Sequence, residues 1–248
     1  MPKCIAVMGA NSAIAVALIQ QAQMKGWEVV AMGRNEDALN KLYGNAKHVQ
    51  ICVLNPCNST EVEAAFTDLT QQGRQVTGYA HCVGSILVTP LIRTTDQQIE
   101  QVIGVNLISA MYGLRAWLKH AKQHGQGGSA VLVSTCATGI GVANHEAIAA
   151  AKGGVESMAR AAAATYAADG IRVNVVAPGL TDSPMAAGFL KSDVMRAASE
   201  KQYPLNGINQ PEEVAETLQW LLSDHSARVT GAVLNVDGGF RNIRPLVK

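Results

Sequence analysis

Short runs of β-branched and small apolar residues alternate with longer helical patterns along the whole chain. That alternation restricts the fold more than any single residue does. Strands are predicted at Lys3–Met8, Glu28–Met32, Val49–Leu54, Gly78–Val83, Ala130–Ser134, Arg172–Ala177 and Ala232–Val236. Helical stretches fall between them at Ala13–Lys25, Thr60–Gln72, Gln97–His124, Glu146–Ala168 and Pro211–Ser223. Strands separated by a dozen or more helical residues do not pair as hairpins. They return through right-handed crossovers and build a parallel sheet. Glycine-bearing loops such as Gly125–Gly128 punctuate the units, but no linker or repeat divides the 248 residues. The expected architecture is α/β, a single doubly wound domain over residues 1–248 with about seven parallel strands flanked by helices.

Apolar residues make up 48% of the chain and charged residues 16%, enough for a sizeable core. A net charge of +1 argues against the basic face of a nucleic-acid or membrane-surface protein. The cysteines (Cys4, Cys52, Cys57, Cys82 and Cys136) are odd in number and show no CxxC spacing. Most fall in strand-like segments, which reads as reduced thiols, no metal site and a cytoplasmic setting. The N-terminus enters a strand without a signal-like apolar region, and no apolar run approaches the roughly 20 residues that span a bilayer. These features argue against a nucleic-acid or membrane partner.

The chemistry-bearing segments start at Gly9-Ala10-Asn11-Ser12-Ala13-Ile14-Ala15, between the first strand and first helix. A strand–turn–helix of this kind aims backbone N–H groups and the positive helix end at a pyrophosphate. An ordinary tight turn is the plainer reading. The second strand ends Gly33-Arg34, where a guanidinium suits a 2′-phosphate or is simply a solvated residue at a helix start. Farther on, VLVSTCATGIGVANHEAIAAAKGG leads to an alanine-rich helix and then to IRVNVVAPG. The tail runs PLNGINQPEEVAETLQWLLS and then VTGAVLNVDGG.

Together these segments resemble the short-chain dehydrogenase/reductase superfamily over nearly the whole chain, which implies a Rossmann-like domain. The family turn is Gly-x-x-x-Gly-x-Gly, so Gly9 matches while Ala13 and Ala15 replace the later glycines. Each methyl is expected to narrow the phosphate approach, and Ala13 to resist a positive φ. The resemblance implies NADP(H) in preference to NAD(H), through Arg34. It makes Gly9, Asn11, Ser12, Ile14, Arg34, Asn55, Gly84, Lys152, Pro178, Gly179 and Thr181 the cofactor-binding set. Asn55 stands at the family's adenine-side Asp. His81-Cys82-Val83-Gly84 stands at its Asn-Asn-Ala-Gly, with His81 and Cys82 read as packing residues.

The catalytic set implied is Lys152, Thr135, Asn106 and His145. Asn106 matches the helix Asn whose carbonyl holds a water near the Lys, and Lys152 the residue that bonds the nicotinamide ribose. The family's Ser is Thr135 here, and its Tyr, four residues before the Lys, is Ile148, which can neither give nor take a proton. Ser134 should point to the other side of its strand. His145, seven residues before Lys152, stands at the spacing where enoyl reductases of the same superfamily place a tyrosine, and imidazole is a capable acid or base near neutrality. Tyr112 and Tyr203 match no family position. Residues 180–206 would form a substrate lid, with Met185, Phe189, Leu190 and Met195 on one amphipathic helix. The resemblance implies a small-molecule substrate and a homo-oligomer, dimer or tetramer. Two functional readings stand ahead of a third, a structural protein that binds no nucleotide. One is an atypical NADP(H)-dependent oxidoreductase, of homotetrameric type, that reduces a carbonyl or activated enone on a small, partly apolar substrate. The other is a catalytically silent relative that binds dinucleotide or a partner subunit.

Overall fold

The computed structural model describes residues 3–245; the ends of the expected domain lie outside them. Seven strands form one sheet in the order β3-β2-β1-β4-β5-β6-β7. They are β1 (Cys4–Met8), β2 (Glu28–Gly33), β3 (Val49–Val53), β4 (Gly78–His81), β5 (Gly128–Val133), β6 (Ile171–Pro178) and β7 (Val233–Val236). Every neighbouring pair is parallel. β1 is buried at all five residues, as expected of a strand covered on both faces. Its alternation sends Ala6 and Met8 to one core, and Ile5 and Val7 to the other.

Helices α1 (Ala13–Met24), α2 (Glu36–Tyr43) and α8 (Pro211–Leu222) contribute to the second core. Helices α3 (Ser59–Gln71), α5 (Ser109–His124) and α6 (Glu146–Tyr166) contribute to the first. Trp117 on α5 is fully buried, and its indole N–H donates to the Val76 carbonyl at 3.0 Å, so its large apolar area costs no unpaired donor. The strand order reverses between β1 and β4, which places the ligand crevice of a doubly wound sheet at their C-terminal ends.

Three expectations change. The single helix Gln97–His124 is interrupted: α4 (Asp96–Ile103) passes through a π-turn, Gly104–Ile108, into α5. α2 follows β2, where a helix start at Arg34 was expected but no helical range. Asn35 caps it by accepting from the Ala38 N–H at 2.9 Å, and Glu36 and Asp37 sit favourably at its positive end. The lid segment is not one amphipathic helix. It divides into a 3-10 turn, Pro184–Phe189, and α7 (Asp193–Glu200), because Ser183 and Ser192 each cap a separate start.

Candidate active site

The turn after β1 leaves no room for a side chain at its first position. Gly9 has φ +82°, and a Cβ there would lie 2.9 Å from the Val83 nitrogen beyond β4. Its N–H and that of Ala10 donate to the Met32 carbonyl at 2.9 and 3.0 Å, tying the turn to β2. Tyr43 on α2 donates to the Ala10 carbonyl at 2.7 Å, a support that sequence inspection missed. Ser12 caps α1 by accepting from the Ala15 N–H at 3.4 Å. The N–H groups of Ala13 and Ile14 then open the helix as first-turn donors. The expected strain at Ala13 is absent: the positive-φ residues other than glycine are His48 and Asn144. Ala15 is fully buried in the core beneath α1, so its methyl packs inward rather than crowding the turn.

Arg34 is exposed and makes no ion pair among the described residues. Nearby, a Cβ on Gly33 would lie 3.8 Å from the Asn11 side-chain oxygen, so these three residues share one rim. Asn55 is also exposed, and its side-chain oxygen accepts from the Cys57 N–H at 3.0 Å. That is a local Asx-type turn.

On the other side of the crevice, Lys152 is 5% exposed and donates to the Val133 carbonyl at 2.9 Å and the Val83 carbonyl at 3.4 Å. Burial lowers its pKa from 10.5 to about 8, against a small opposing effect of Cys82. A Cβ on Gly84 would meet the Asn106 side-chain oxygen at 3.3 Å and the Lys152 Nζ at 3.5 Å. The structure thus brings Gly84, Asn106 and Lys152 together. Asn106 is fully buried in the π-turn, where it accepts from the Ser85 N–H at 3.0 Å and donates to the Ser85 hydroxyl at 2.8 Å. A π-turn shifts helix register by one residue, and such turns often mark functional positions.

His81 and Cys82 are buried behind this group. Ser109 donates to the Val105 carbonyl, so its oxygen accepts from His81 Nε2 at 3.1 Å, and His81 Nδ1 accepts from the Tyr79 hydroxyl at 2.8 Å. Burial, then the Lys152 charge, pushes the imidazole down to about 3, so it is a neutral link between β4 and α5. Burial pushes the Cys82 thiol up to about 12.

Thr135 follows β5 and is half-buried; its hydroxyl accepts from the Ala137 N–H at 3.4 Å. Ser134 points away from it and donates to Glu156 at 2.8 Å, as strand alternation requires. Ile148 is 6% exposed in an apolar cluster with Val102 and Ala151, and so offers no polar group. His145 immediately precedes α6, and its Nδ1 lies 2.8 Å from the Ala143 carbonyl. A carbonyl only accepts, so Nδ1 carries the proton and Nε2 is the open nitrogen. His145 lines a cleft of about 460 Å³ with Thr138, Ile140, Val142, Glu146 and Ala149 among its walls.

Pro178 ends β6, and Gly179 donates to the Val236 carbonyl at 2.8 Å. A Cβ at Gly179 would press the Tyr203 ring at 2.8 Å. The Tyr203 hydroxyl accepts from the Leu180 N–H at 2.7 Å, and burial raises its pKa to about 12. That phenol braces the loop. Thr181 is buried and donates to the Gly179 carbonyl at 3.1 Å. Met185, Val194 and Met195 of the lid segment are exposed.

A parallel doubly wound sheet with a glycine turn and a helix N-terminus at its switch point defines a Rossmann-like class. The family described as Enoyl-(Acyl carrier protein) reductase matches residues 9–241. The chain is 30% identical to 3beta-hydroxysteroid dehydrogenase 1 of Eggerthella lenta, covering 96% of this chain and 93% of that one. It belongs to the short-chain dehydrogenase/reductase family of oxidoreductases. It is also similar to the cis-4-hydroxycyclohexanecarboxylate dehydrogenase of Sinomonas cyclohexanicum, 47% identical over 125 residues, a match spanning about half (49%) of each chain. A gluconate 5-dehydrogenase of Burkholderia cenocepacia, solved with NADP and tartrate, shares the fold. Its TM-score is 0.92 at 20% identity, over 98% of this chain and 96% of that one. Among the described residues, no helix is long and apolar enough to cross a membrane.

Proposed function

We propose that this chain is an NADP(H)-dependent oxidoreductase interconverting a carbonyl or activated enone and its reduced form on a small, partly apolar substrate. The observation that carries this reading is the buried Lys152 ammonium beside Gly84 and Asn106, across the switch point from the Gly9 turn. Two carbonyls accept from that ammonium, which leaves a third N–H for a ribose hydroxyl. The residues fit a dinucleotide elsewhere too. Position 9 of the turn admits no side chain, Ala13 and Ile14 supply helix-end donors, and Arg34, which has no ion pair among the described residues, offers a guanidinium for a 2′-phosphate. Asn11, Ser12, Asn55, Pro178, Gly179 and Thr181 complete the same rim.

The nicotinamide would supply the hydride. The chain's own residues orient the substrate and handle the proton. Thr135 holds the carbonyl oxygen through its hydroxyl, and Asn106 secures the strand-end loop at Ser85 beside Lys152. His145 exchanges a proton at Nε2, since its Nδ1 proton is engaged with Ala143. The cleft beside it offers Ile140, Val142 and Ala149 as apolar wall, with Glu146 as its carboxylate and no Lys or Arg to hold an anion. Two relatives are named as dehydrogenases of hydroxylated ring compounds, which supports cyclic ketones and enones as first trials. The lid at 180–206 covers that substrate, and the active form is a homo-oligomer.

Ile148 favours a second reading, a silent protein that binds dinucleotide or a partner subunit, because the family's phenol is replaced by packed hydrocarbon. Equilibrium titration with NADPH and NADH, followed by hydride transfer to cyclic ketones and enones, separates the two. Tight NADPH binding with turnover supports the enzyme; binding without turnover on any of them supports the silent protein. Absence of binding of either nucleotide sinks both dinucleotide readings.

A further inference from the structure

Glu156 plays no part in the chemistry above, yet it is 5% exposed and gathers three donors from two segments. Ser134 donates to its Oε1 at 2.8 Å, Thr138 donates to the same oxygen, and Arg241 Nη1 approaches it at 3.9 Å. Arg241 comes from the chain beyond β7. Its guanidinium also donates to the Asn235 side-chain oxygen at 3.2 Å, and its backbone N–H to Asp237 at 3.0 Å. The guanidinium crosses the backbone at Gly139, where any Cβ would overlap it.

We infer that the Glu156–Arg241 pair is a positioning device that sets the Thr135 loop from beneath. Thr135 lies between Ser134 and Thr138, the two residues whose hydroxyls converge on Glu156. One carboxylate therefore fixes both flanks of the residue that presents a hydroxyl to substrate. Glu156 is one turn past Lys152 on α6, so the loop is registered against the helix that carries the ammonium. Arg241 supplies the countercharge that a buried carboxylate requires. Glycine at 139 is the condition for that approach, because a side chain would displace the guanidinium. The role of Thr135 toward substrate rests on the function proposed above; the brace itself does not.

The test uses the full chain with Arg241→Gln, Gly139→Ala, their double variant and Arg241→Lys. Amide hydrogen exchange at Thr138 and Gly139, whose N–H groups donate to the Thr135 and Cys136 carbonyls, reads the loop directly. Each single variant is expected to speed that exchange at least about tenfold while the β1 amides stay protected. Turnover should fall roughly five- to twentyfold with NADPH affinity held within about twofold, and Arg241→Lys should recover part of it. Because both substitutions break one contact, the double variant should be no worse than either single. Unchanged exchange at Thr138 and Gly139, or additive losses in the double variant, would overturn the brace. Should the wild type turn over no carbonyl substrate, the proposed activity fails, and hydrogen exchange alone still decides the brace.

Discussion

The Lys152 ammonium lies 2.9 Å from the Val133 carbonyl and 3.4 Å from the Val83 carbonyl, so one cation from α6 bridges the chain ends leaving β4 and β5. Its burial brings two opposite pH dependences. An unfolded lysine titrates near 10.4, whereas desolvation holds this one at about 8. Between those values the unfolded chain binds more protons, so this residue's contribution makes stability rise with pH. Below about pH 8 the full cost of burying the ammonium is present. The unfolding free energy of wild type minus that of Lys152→Met should therefore increase by about 2 kcal/mol from pH 7 to 9.5. NADPH affinity should move the other way, weakening above about pH 8 as the donor proton is lost. Denaturant unfolding of both proteins at the two pH values, with fluorescence titrations, checks this. Parallel stability curves would count against a buried, titrating Lys152.

Arg34 makes no ion pair among the described residues and stands at the end of β2, beside Asn11. Nothing in the fold needs its charge, so Arg34→Gln should leave thermal stability nearly unchanged. It should weaken NADPH roughly ten- to hundredfold, the worth of one or two charge-assisted hydrogen bonds. NADH, which lacks the 2′-phosphate, should change by less than about twofold. Equal losses for both nucleotides would reassign Arg34 to the pyrophosphate or to solvent.

The sheet was legible in the sequence because strands buried on both faces read as short apolar runs between helical periods, as in Cys4–Met8. Gly9 was legible because it stands between a strand and a helix, whereas Gly84, Asn106 and Lys152 came only from the family resemblance, and the structure brings those three together. What escaped were features set by non-local partners. The π-turn at Gly104–Ile108 leaves no mark in an otherwise helical pattern. The Glu156 cluster joins residues that lie far apart in the chain, Ser134 to Arg241. Ala13 and Ala15 were misjudged because the turn's strain was assigned by analogy. In the structure the positive φ falls on Gly9 alone, and Ala15 turns into the core. α2 could have been found: Asn35 followed by Glu36 and Asp37 is a helix-start signature.

The His81 relay supports the catalytic side from within the core. Tyr79 donates to His81, which donates to Ser109, which donates to Val105 in the turn that carries Asn106. His81→Leu leaves the buried Tyr79 hydroxyl without an acceptor, at a cost of about 1–3 kcal/mol. For a chain of this size that lowers Tm by roughly 2–12 °C. Calorimetry should show the drop, and turnover measured well below Tm should also fall as Asn106 loses its fixed register. A lowered Tm with full turnover would confine the relay to stability.

The proton donor is tested by two substitutions read together. His145→Gln keeps a polar side chain before α6 but cannot exchange a proton. Turnover should fall about 10²-fold or more while NADPH affinity holds, since loss of a general acid typically costs 10²–10⁴. Ile148→Tyr places a phenol four residues before Lys152, within the cluster of Val102, Ala151, Leu87 and Leu107. Overpacking there should cost about 1–3 kcal/mol of stability. In the His145→Gln background, Ile148→Tyr should restore at least about tenfold of the lost turnover if, as proposed, Lys152 and Thr135 frame the site. Rescue would show that only the acid was displaced. Failure of rescue in a folded double variant, with His145→Gln itself inactive, would mean that His145 does more than move a proton. An undiminished His145→Gln single variant would hand the proton to water and remove His145 from the mechanism.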